Sequence, residues 1–172
     1  MRSRYSAAVA CAVLLAALRT TPQAVAQGRD GLHHLAVVAG PVNYDLSGTG
    51  WSWGAGARLD LPLARILTVE GGITYFQYEA QFGSRVSYVF PEIGAHLVVP
   101  TRVLRPYLLV GGGAALSLEG GAGTDLAVHA GIGVRTAGDG AYGARIEGRF
   151  RNITLSANAS LLEVFAGLSR RW

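Results

Sequence analysis

The residues best suited to chemistry form an alternating run near the end of the chain, GARIEGRFRN at positions 143–152. Every second position of this run carries a charge: Arg145, Glu147, Arg149 and Arg151. The positions between them are apolar or glycine, and a period of two is the period of a β-strand. The charged side chains therefore share one face of a predicted strand. In a soluble sandwich that face would meet water, whereas in a membrane barrel it would line the interior.

The sequence also supplies the residue types of a hydrolytic site. Serine, histidine and carboxylate side chains lie on predicted strands: Ser117, Ser169, His96, His129, Glu92 and Glu163. No stretch places a serine, a histidine and an acid in a recognisable arrangement, so we expect no catalytic residues. The pair His33-His34 is more typical of a solvated leader than of a metal site, and the glycine runs lack the lysine of a phosphate-binding loop. We expect no metal and no cofactor.

Eight strand-like segments, divided by turn residues, position these groups. Their predicted bounds are 32–44, 51–61, 67–80, 85–99, 105–119, 125–136, 142–153 and 160–172. The connections after the second, fourth and sixth segments are short, and the others are longer or more polar. In the fourth segment the apolar phase shifts by one residue at Pro91-Glu92, which predicts a β-bulge. The pattern indicates one all-β domain.

The first 26 residues have the pattern of a secretory signal peptide. Arg2 and Arg4 precede an apolar stretch that ends at Arg19, and Ala26 closes a cleavage motif of the form A-x-A. Cleavage there would remove Cys11, the single cysteine, and three of the fifteen basic residues. The remaining domain, residues 27–172, carries twelve arginines against eleven acidic residues, a net charge of +1. We therefore expect no nucleic-acid partner.

The two faces of the predicted strands distinguish a membrane barrel from a soluble sandwich. One face is apolar, whereas the other carries glycines, small polar residues and a few charges, which suits the narrow interior of an eight-stranded barrel. Aromatic residues cluster near predicted strand ends, where interfacial girdles lie: Tyr44, Trp51, Trp53, Tyr75, Tyr78, Tyr88, Phe90, Tyr107, Tyr142 and Trp172. We predict an all-β fold, an eight-stranded antiparallel up-and-down transmembrane β-barrel. A secreted sandwich or a lipocalin-like barrel is the alternative.

The last strand carries a further pattern. Trp172 closes it, and Gly167 stands five positions earlier. This resembles the C-terminal signal by which outer-membrane barrels are recognised by their assembly machinery, with Arg170 where that signal prefers an apolar or aromatic residue. Together with the signal peptide and the eight strands, it makes residues 27–172 resemble the small eight-stranded outer-membrane β-barrel family, which includes the OmpA barrel domain and the OmpX-like proteins. The resemblance implies a Gram-negative outer-membrane location, both termini periplasmic, and contacts with outer-membrane lipid and the assembly machinery.

In such a barrel the charged face points into the lumen. The residues expected there are Arg58, Asp60, Glu70, Glu92, His96, His129, Arg135, Arg145, Glu147, Arg149, Arg151, Glu163 and Arg171. Because an unpaired charge in a low-dielectric interior costs several kcal/mol, we expect these side chains to pair into a network that plugs the lumen and sets strand register. A polar pathway for ions or small solutes is the alternative.

The resemblance does not imply one activity, because barrels of this family serve as adhesins, structural proteins, small-molecule conduits and lipid-modifying enzymes. We expect a non-catalytic protein with a structural or surface-interaction role in the cell envelope. The alternatives are a narrow conduit or binding barrel for a small or hydrophobic ligand, and a lipid A-modifying enzyme. The sequence indicates no oligomeric state.

Overall fold

The computed structural model describes residues 33–45, 50–79, 85–118, 123–137, 140–154 and 159–172. These residues form eight strands: β1 (His34–Asp45), β2 (Gly50–Ala64), β3 (Leu67–Glu79), β4 (Arg85–Val98), β5 (Leu104–Ser117), β6 (Thr124–Thr136), β7 (Tyr142–Thr154) and β8 (Ala159–Arg171). Each strand begins and ends within three residues of its predicted bounds. No helix in these ranges is long and apolar enough to cross a membrane. The predicted signal peptide, residues 1–26, lies outside the described residues.

Each strand pairs antiparallel with the next, and β8 pairs antiparallel with β1 to close a barrel. We name the end where β2, β4 and β6 finish the turn end, and the end where β1, β3, β5 and β7 finish the loop end. At the turn end β1 begins and β8 finishes, and the backbone N–H of Trp172 donates to the carbonyl of His33 at 3.2 Å. The predicted fold, an eight-stranded antiparallel up-and-down barrel, is confirmed.

The outer face of the barrel is apolar. Large aliphatic side chains point outward, and four of them, Leu63, Ile93, Ile132 and Leu168, are 64–74% exposed. On β2, Trp53 near the loop end and Leu63 near the turn end mark the height of this apolar band. Ten residues at about 3.3 Å each, with a strand tilt of about 40°, give about 25 Å. That height matches the apolar band of membrane barrels.

Exposed aromatic side chains lie toward the two ends of the band. They are Trp51, Trp53 and Tyr75 near the loop end and Tyr142 at the turn end, whereas Phe150 is exposed farther from the ends, within β7. Five other residues predicted for this girdle point into the barrel instead: Tyr44, Tyr78, Tyr88, Phe90 and Tyr107. The prediction failed for them because an aromatic side chain near a strand end is equally compatible with the lipid interface and with the interior.

An apolar layer fills the interior toward the loop end. Its residues come from every strand except β2: Val38, Val42, Phe76, Phe90, Ala115, Ala127, Ile153, Leu161 and Phe165, with Tyr44, Tyr78 and Tyr88 packed against them. Neighbouring rings stack, and the centroids of Phe76 and Phe90 lie 5.6 Å apart. We name this set the aromatic layer. It packs like a small protein core and occupies the loop-end part of the interior.

The β-bulge predicted at Pro91-Glu92 is wrong. The register between β3 and β4 continues past this point without a shift, since Ile73 faces Pro91 and Gly72 faces Glu92. The apparent change of phase arises because Phe90 belongs to the aromatic layer and points inward, as Glu92 does. One inner face is therefore apolar near the loop end and charged farther down.

The pair His33-His34 is not a solvated leader. His34 is the first residue of β1, where it faces Asp60 on β2 and Arg171 on β8. The pairing of β1 with both neighbours draws this segment into the barrel wall.

Candidate functional site

The thirteen residues predicted for the lumen are all buried, each at most 9% exposed. Strand alternation explains this, because each strand directs every second side chain inward. We name twelve of them the charge network: Arg58, Asp60, Glu70, Glu92, His96, His129, Arg135, Arg145, Glu147, Arg149, Arg151 and Glu163. On strands that carry residues of both sets, the charge network lies on the turn-end side of the aromatic layer, except for Glu163, which lies on β8 between Leu161 and Phe165. The thirteenth, Arg171, lies at the turn end of the lumen. It donates to the backbone carbonyls of Thr136 at 2.8 Å and Gly140 at 3.3 Å.

Glu70 is one centre of the charge network. Its Oε2 accepts a hydrogen bond from Arg145 Nη2 at 2.7 Å, and its Oε1 accepts one from Arg149 Nη2 at 2.5 Å. Arg58 Nε lies 3.6 Å from Oε1, and His96 Nε2 lies 3.4 Å from Oε2. One carboxylate thus contacts three guanidinium groups, which is the pairing that buried charges require.

Glu92 is the second centre. Its Oε1 lies 3.1 Å from Arg58 Nη1 and 3.2 Å from Arg149 Nη1, and its Oε2 lies 2.8 Å from Arg151 Nη2. Because Arg58 and Arg149 contact both Glu70 and Glu92, the two centres belong to a single connected network.

Some of these ion pairs span the barrel. In a ring of eight strands β2 lies opposite β6, and β3 lies opposite β7. Arg135 of β6 reaches Asp60 of β2 at 2.7 Å, and Arg145 of β7 reaches Glu70 of β3 at 2.7 Å. Side chains that meet from opposite walls fill the lumen at this height.

Two threonines of β3 complete hydrogen bonds that the sequence did not suggest. The hydroxyl of Thr74 accepts from Arg58 Nη2 at 2.7 Å and donates to Glu92 Oε1 at 2.9 Å. The hydroxyl of Thr68 accepts from Arg135 Nη2 at 3.3 Å. Their inward phase on β3 was a usable signal, since residues an even number of positions apart share a face.

Tyr107 also belongs to this site, although the sequence placed it at the membrane interface. Its hydroxyl donates to Glu147 Oε2 at 2.9 Å and accepts from Arg145 Nη2 at 3.1 Å. Its ring stacks on His96 with centroids 4.7 Å apart, and it lies so close to Gly133 that a Cβ there would collide with it. Because β5 is apolar on both faces, alternation gave little signal for this residue.

Arg151 joins the charge network to the aromatic layer. Its Nε and Nη2 bind the two carboxylate oxygens of Glu163 at 2.6 and 3.2 Å. The same guanidinium lies 4.4 Å from the ring centroid of Phe90, a cation–π distance. The two interior layers are therefore in direct contact.

The barrel as a whole resembles solved structures. No model of a protein family matches the sequence, and no curated protein matches it significantly. The crystal structure of Neisserial surface protein A (NspA) aligns with 83% of this chain and 97% of its own, with a TM-score of 0.65 and 16% identity. This chain has the fold of the small outer-membrane β-barrels.

Two further solved structures share the outer-membrane barrel fold. The attachment invasion locus protein Ail of Yersinia pestis aligns with 83% of this chain and 99% of its own, with a TM-score of 0.57 and 12% identity. The outer membrane enzyme PagL aligns with 80% of this chain and 98% of its own, with a TM-score of 0.51 and 12% identity. At these identities the similarity concerns the fold.

In this outer-membrane barrel fold, one trio of the described residues has the geometry to hold a metal ion. One ligand atom from each of Asp60, Glu70 and His96 lies within 4.8 Å of the others. Arg145 already contacts both carboxylates, at 3.4 Å from Asp60 and 2.7 Å from Glu70, and Arg135 contacts Asp60 at 2.7 Å. A divalent cation would have to displace these guanidinium groups, so the arrangement favours ion pairing over metal binding.

The candidate hydrolytic residues lie in different parts of the barrel. His96 and His129 are inside the charge network, each within 3.4 Å of a carboxylate. Ser117 is the last residue of β5, at the loop end, and Ser169 lies near the turn end of β8. A nucleophile and its base must lie within hydrogen-bond reach of each other. Ser117 lies at the other end of the barrel from His96, and Ser169 lies on β8, across the barrel from His96 on β4.

The two residues of the predicted assembly signal lie on and after β8. Gly167 points into the barrel and faces Val38 on β1 and Arg145 on β7. A Cβ at Gly167 would collide with the backbone of Val37, so close strand packing requires glycine here. Trp172 directly follows the strand.

Proposed function

We propose that this protein is a non-catalytic outer-membrane barrel with a plugged lumen, which contributes to envelope structure or presents a surface for interaction. The observation that carries the proposal is the pair of contacts across the lumen, Arg135–Asp60 and Arg145–Glu70, each at 2.7 Å. With the aromatic layer, they fill the interior at two heights. An interior filled by its own side chains favours a function for the wall and the ends of the barrel.

Three observations support the outer-membrane location. The apolar band is about 25 Å high, as in bacterial membrane barrels. The described part of the chain aligns with outer-membrane proteins over nearly their full length. The first 26 residues have the pattern of an export signal. Outer-membrane lipid is therefore the proposed partner of the outer face.

The non-catalytic role is supported by the positions of the candidate residues. PagL is an enzyme with this fold, so the fold alone does not decide the question. In this barrel the two histidines are buried among arginines and carboxylates, and the serines considered with them lie toward opposite ends. Expression should therefore leave the mass of lipid A unchanged, whereas a mass change would identify a lipid-modifying enzyme.

A narrow conduit is the second candidate, because the interior carries charges of both signs. Passage of ions or solutes would require the network to rearrange, since its arginines and carboxylates meet from opposite walls.

The first experiment tests the membrane location. It starts from residues 27–172 folded into detergent, with boiled and unboiled samples compared on a denaturing gel and by far-UV circular dichroism. We expect heat-modifiable mobility and a strand-rich spectrum. Folding in plain buffer without a mobility shift would overturn the membrane location.

Conductance in planar bilayers then distinguishes the plug from the conduit. We expect the folded protein to give no current steps, or very small ones. Regular steps from the unmodified chain would overturn the plugged lumen and favour a conduit for small ions.

We also propose that the assembly machinery recognises the end of β8. Deletion of Trp172 should lower the folded fraction in cells without changing folding of the purified chain into detergent. Trp53→Phe is the matched control, because it alters an exposed tryptophan on another strand. Equal folded fractions in cells for both variants would contradict this proposal.

A further inference from the structure

A groove of about 590 Å³ runs across the outer wall of the barrel over β4, β5, β6 and β7. The residues that define it are Val99, Pro106, Leu108, Ile132, Ile146 and Gly148. Its volume is within the range of small-ligand pockets, about 300–1,000 Å³. The groove lies in the apolar band and extends toward the turn end.

Gly148 leaves a gap in the lining of the groove, because glycine has no side chain. It is an outward position of β7, flanked by Ile132 on β6 and Val164 on β8, which are 64% and 40% exposed. A Cβ at Gly148 would have its nearest neighbour, the carbonyl oxygen of Glu163, at 4.0 Å. The position therefore has room for a larger residue, and glycine leaves a gap between aliphatic side chains.

A positively charged residue, Arg102, follows the turn-end side of the groove along the chain. Val99 lines the groove, and its N–H donates to the carbonyl of Pro106 at 2.9 Å. Arg102 lies three residues beyond Val99 in the same connection and is exposed. Three residues span at most about 10 Å, so the Arg102 backbone lies within that distance of the groove. A group seated at this side of the groove therefore lies near the connection that carries Arg102.

The charge at this end is not balanced on the described outer surface. Arg65 and Arg102 are exposed there. The exposed acidic side chain of the described outer surface is Glu79, at the loop end, where it lies 3.7 Å from Arg85. Among the described residues, the charges exposed at the turn end are therefore positive, which favours a group with negative charge.

We propose that the groove and Arg102 form a binding site for one anionic phospholipid of the membrane leaflet at the turn end. An acyl chain lies over Gly148, and the headgroup phosphate binds Arg102. A guanidinium binds phosphate through paired, charge-assisted hydrogen bonds, and the fixed groove gives one chain more contacts than a flat wall would. The inference rests on the proposed membrane location, and it adds a specific lipid to a general lipid surface.

The test uses residues 27–172 inserted into vesicles of phosphatidylcholine and phosphatidylglycerol, extracted with mild detergent and examined by native mass spectrometry. We expect one phosphatidylglycerol retained per barrel. Gly148→Leu fills the groove and Arg102→Gln removes the charge, and each should lower retention to the level of phosphatidylcholine carry-over. Gly71→Leu is the matched control for the first, because Gly71 is also an outward glycine and a Cβ there meets nothing within 4 Å. Arg65→Gln is the matched control for the second.

Unboiled gel mobility establishes that each variant is folded, and Gly148→Ala replaces Gly148→Leu if the larger residue prevents folding. Retention that is unchanged in both test variants, or lowered equally in the controls, would overturn the site. A wild-type barrel that inserts but retains no phosphatidylglycerol would overturn this inference alone. A chain that does not insert into vesicles would overturn the proposed function and the inference with it.

Discussion

Glu92 is the residue at which the charge network can be tested most directly. Its carboxylate is 1% exposed, and nitrogens of Arg58, Arg149 and Arg151 lie within 3.2 Å of it. Glu92→Gln preserves the shape of the side chain and removes its charge. Removal of one partner of a buried ion pair costs about 3–5 kcal/mol, because the remaining charges stay buried without compensation.

The contacts that remain decide where in this range the loss falls. In Glu92→Gln, Arg149 still has an ion pair with Glu70 at 2.5 Å, and Arg151 still has one with Glu163 at 2.6 Å. The carboxylates that remain near Arg58 are more distant, with Glu70 at 3.6 Å and Glu147 at 3.8 Å. We therefore expect the lower end, about 3 kcal/mol, which changes the unfolding equilibrium constant by about two powers of ten.

Equilibrium unfolding in urea measures this change. Tryptophan fluorescence and unboiled gel mobility should give coincident transitions, which allows a two-state free energy to be derived. Glu79→Gln is the matched control, because Glu79 and Arg85 lie 3.7 Å apart with side chains 72% and 62% exposed, and such surface pairs contribute about 0–1 kcal/mol. The double variant Glu92→Gln with Arg151→Gln should be less destabilised than the sum of its single variants. A loss below about 1 kcal/mol for Glu92→Gln would refute the reasoning.

Three further predictions address the interior, the strand spacing and the membrane boundary. Phe90→Ala should lower the free energy of unfolding by about 3–5 kcal/mol, because it opens a cavity in the aromatic layer; urea titration measures it, and a loss under about 1 kcal/mol would contradict the packing. Gly131→Ala should lower the free energy of unfolding by about 1–3 kcal/mol, because a Cβ there would collide with the backbone of Gly148, whereas Gly71→Ala should change it by no more than about 0.5 kcal/mol. Equal losses for the two variants in urea titration would contradict the close spacing of the strands at Gly131. Brominated lipids should quench the tryptophan fluorescence, and Trp53→Phe should remove much of that quenching because Trp53 is 73% exposed. Unchanged quenching would show that Trp53 does not lie at the membrane boundary.

The strands could be predicted from sequence because their polarity alternates. In β7 the charged and apolar residues occupy separate phases from Ala144 to Arg151, and its predicted bounds, 142–153, differ from the structure by one residue. The inward direction of the charges followed from the same alternation together with the apolar outer face. These are local properties, which a short stretch of sequence contains.

The partners of those charges could not be predicted. Arg145 and Glu70 are 75 positions apart, and they meet because a closed ring places β7 opposite β3. Tyr107 and Phe90 were assigned to the lipid interface, although they lie inside. Hydrophobicity does not distinguish lipid from a packed interior, so an aromatic residue is ambiguous in a barrel in a way that an arginine is not.

The position of the charges on β7 has a consequence for the order of assembly. Its arginines bind Glu147 of the same strand and Glu163 of β8, and their other carboxylates lie on β2, β3 and β4, which belong to the first half of the chain. Until those strands stand opposite, each arginine exposed to hydrocarbon near the bilayer midplane would cost about 2–4 kcal/mol. The wall cannot then be completed in lipid one strand at a time from either end. We expect insertion to be all-or-none, so that unboiled gels taken during folding show unfolded and closed barrels without a long-lived species between them.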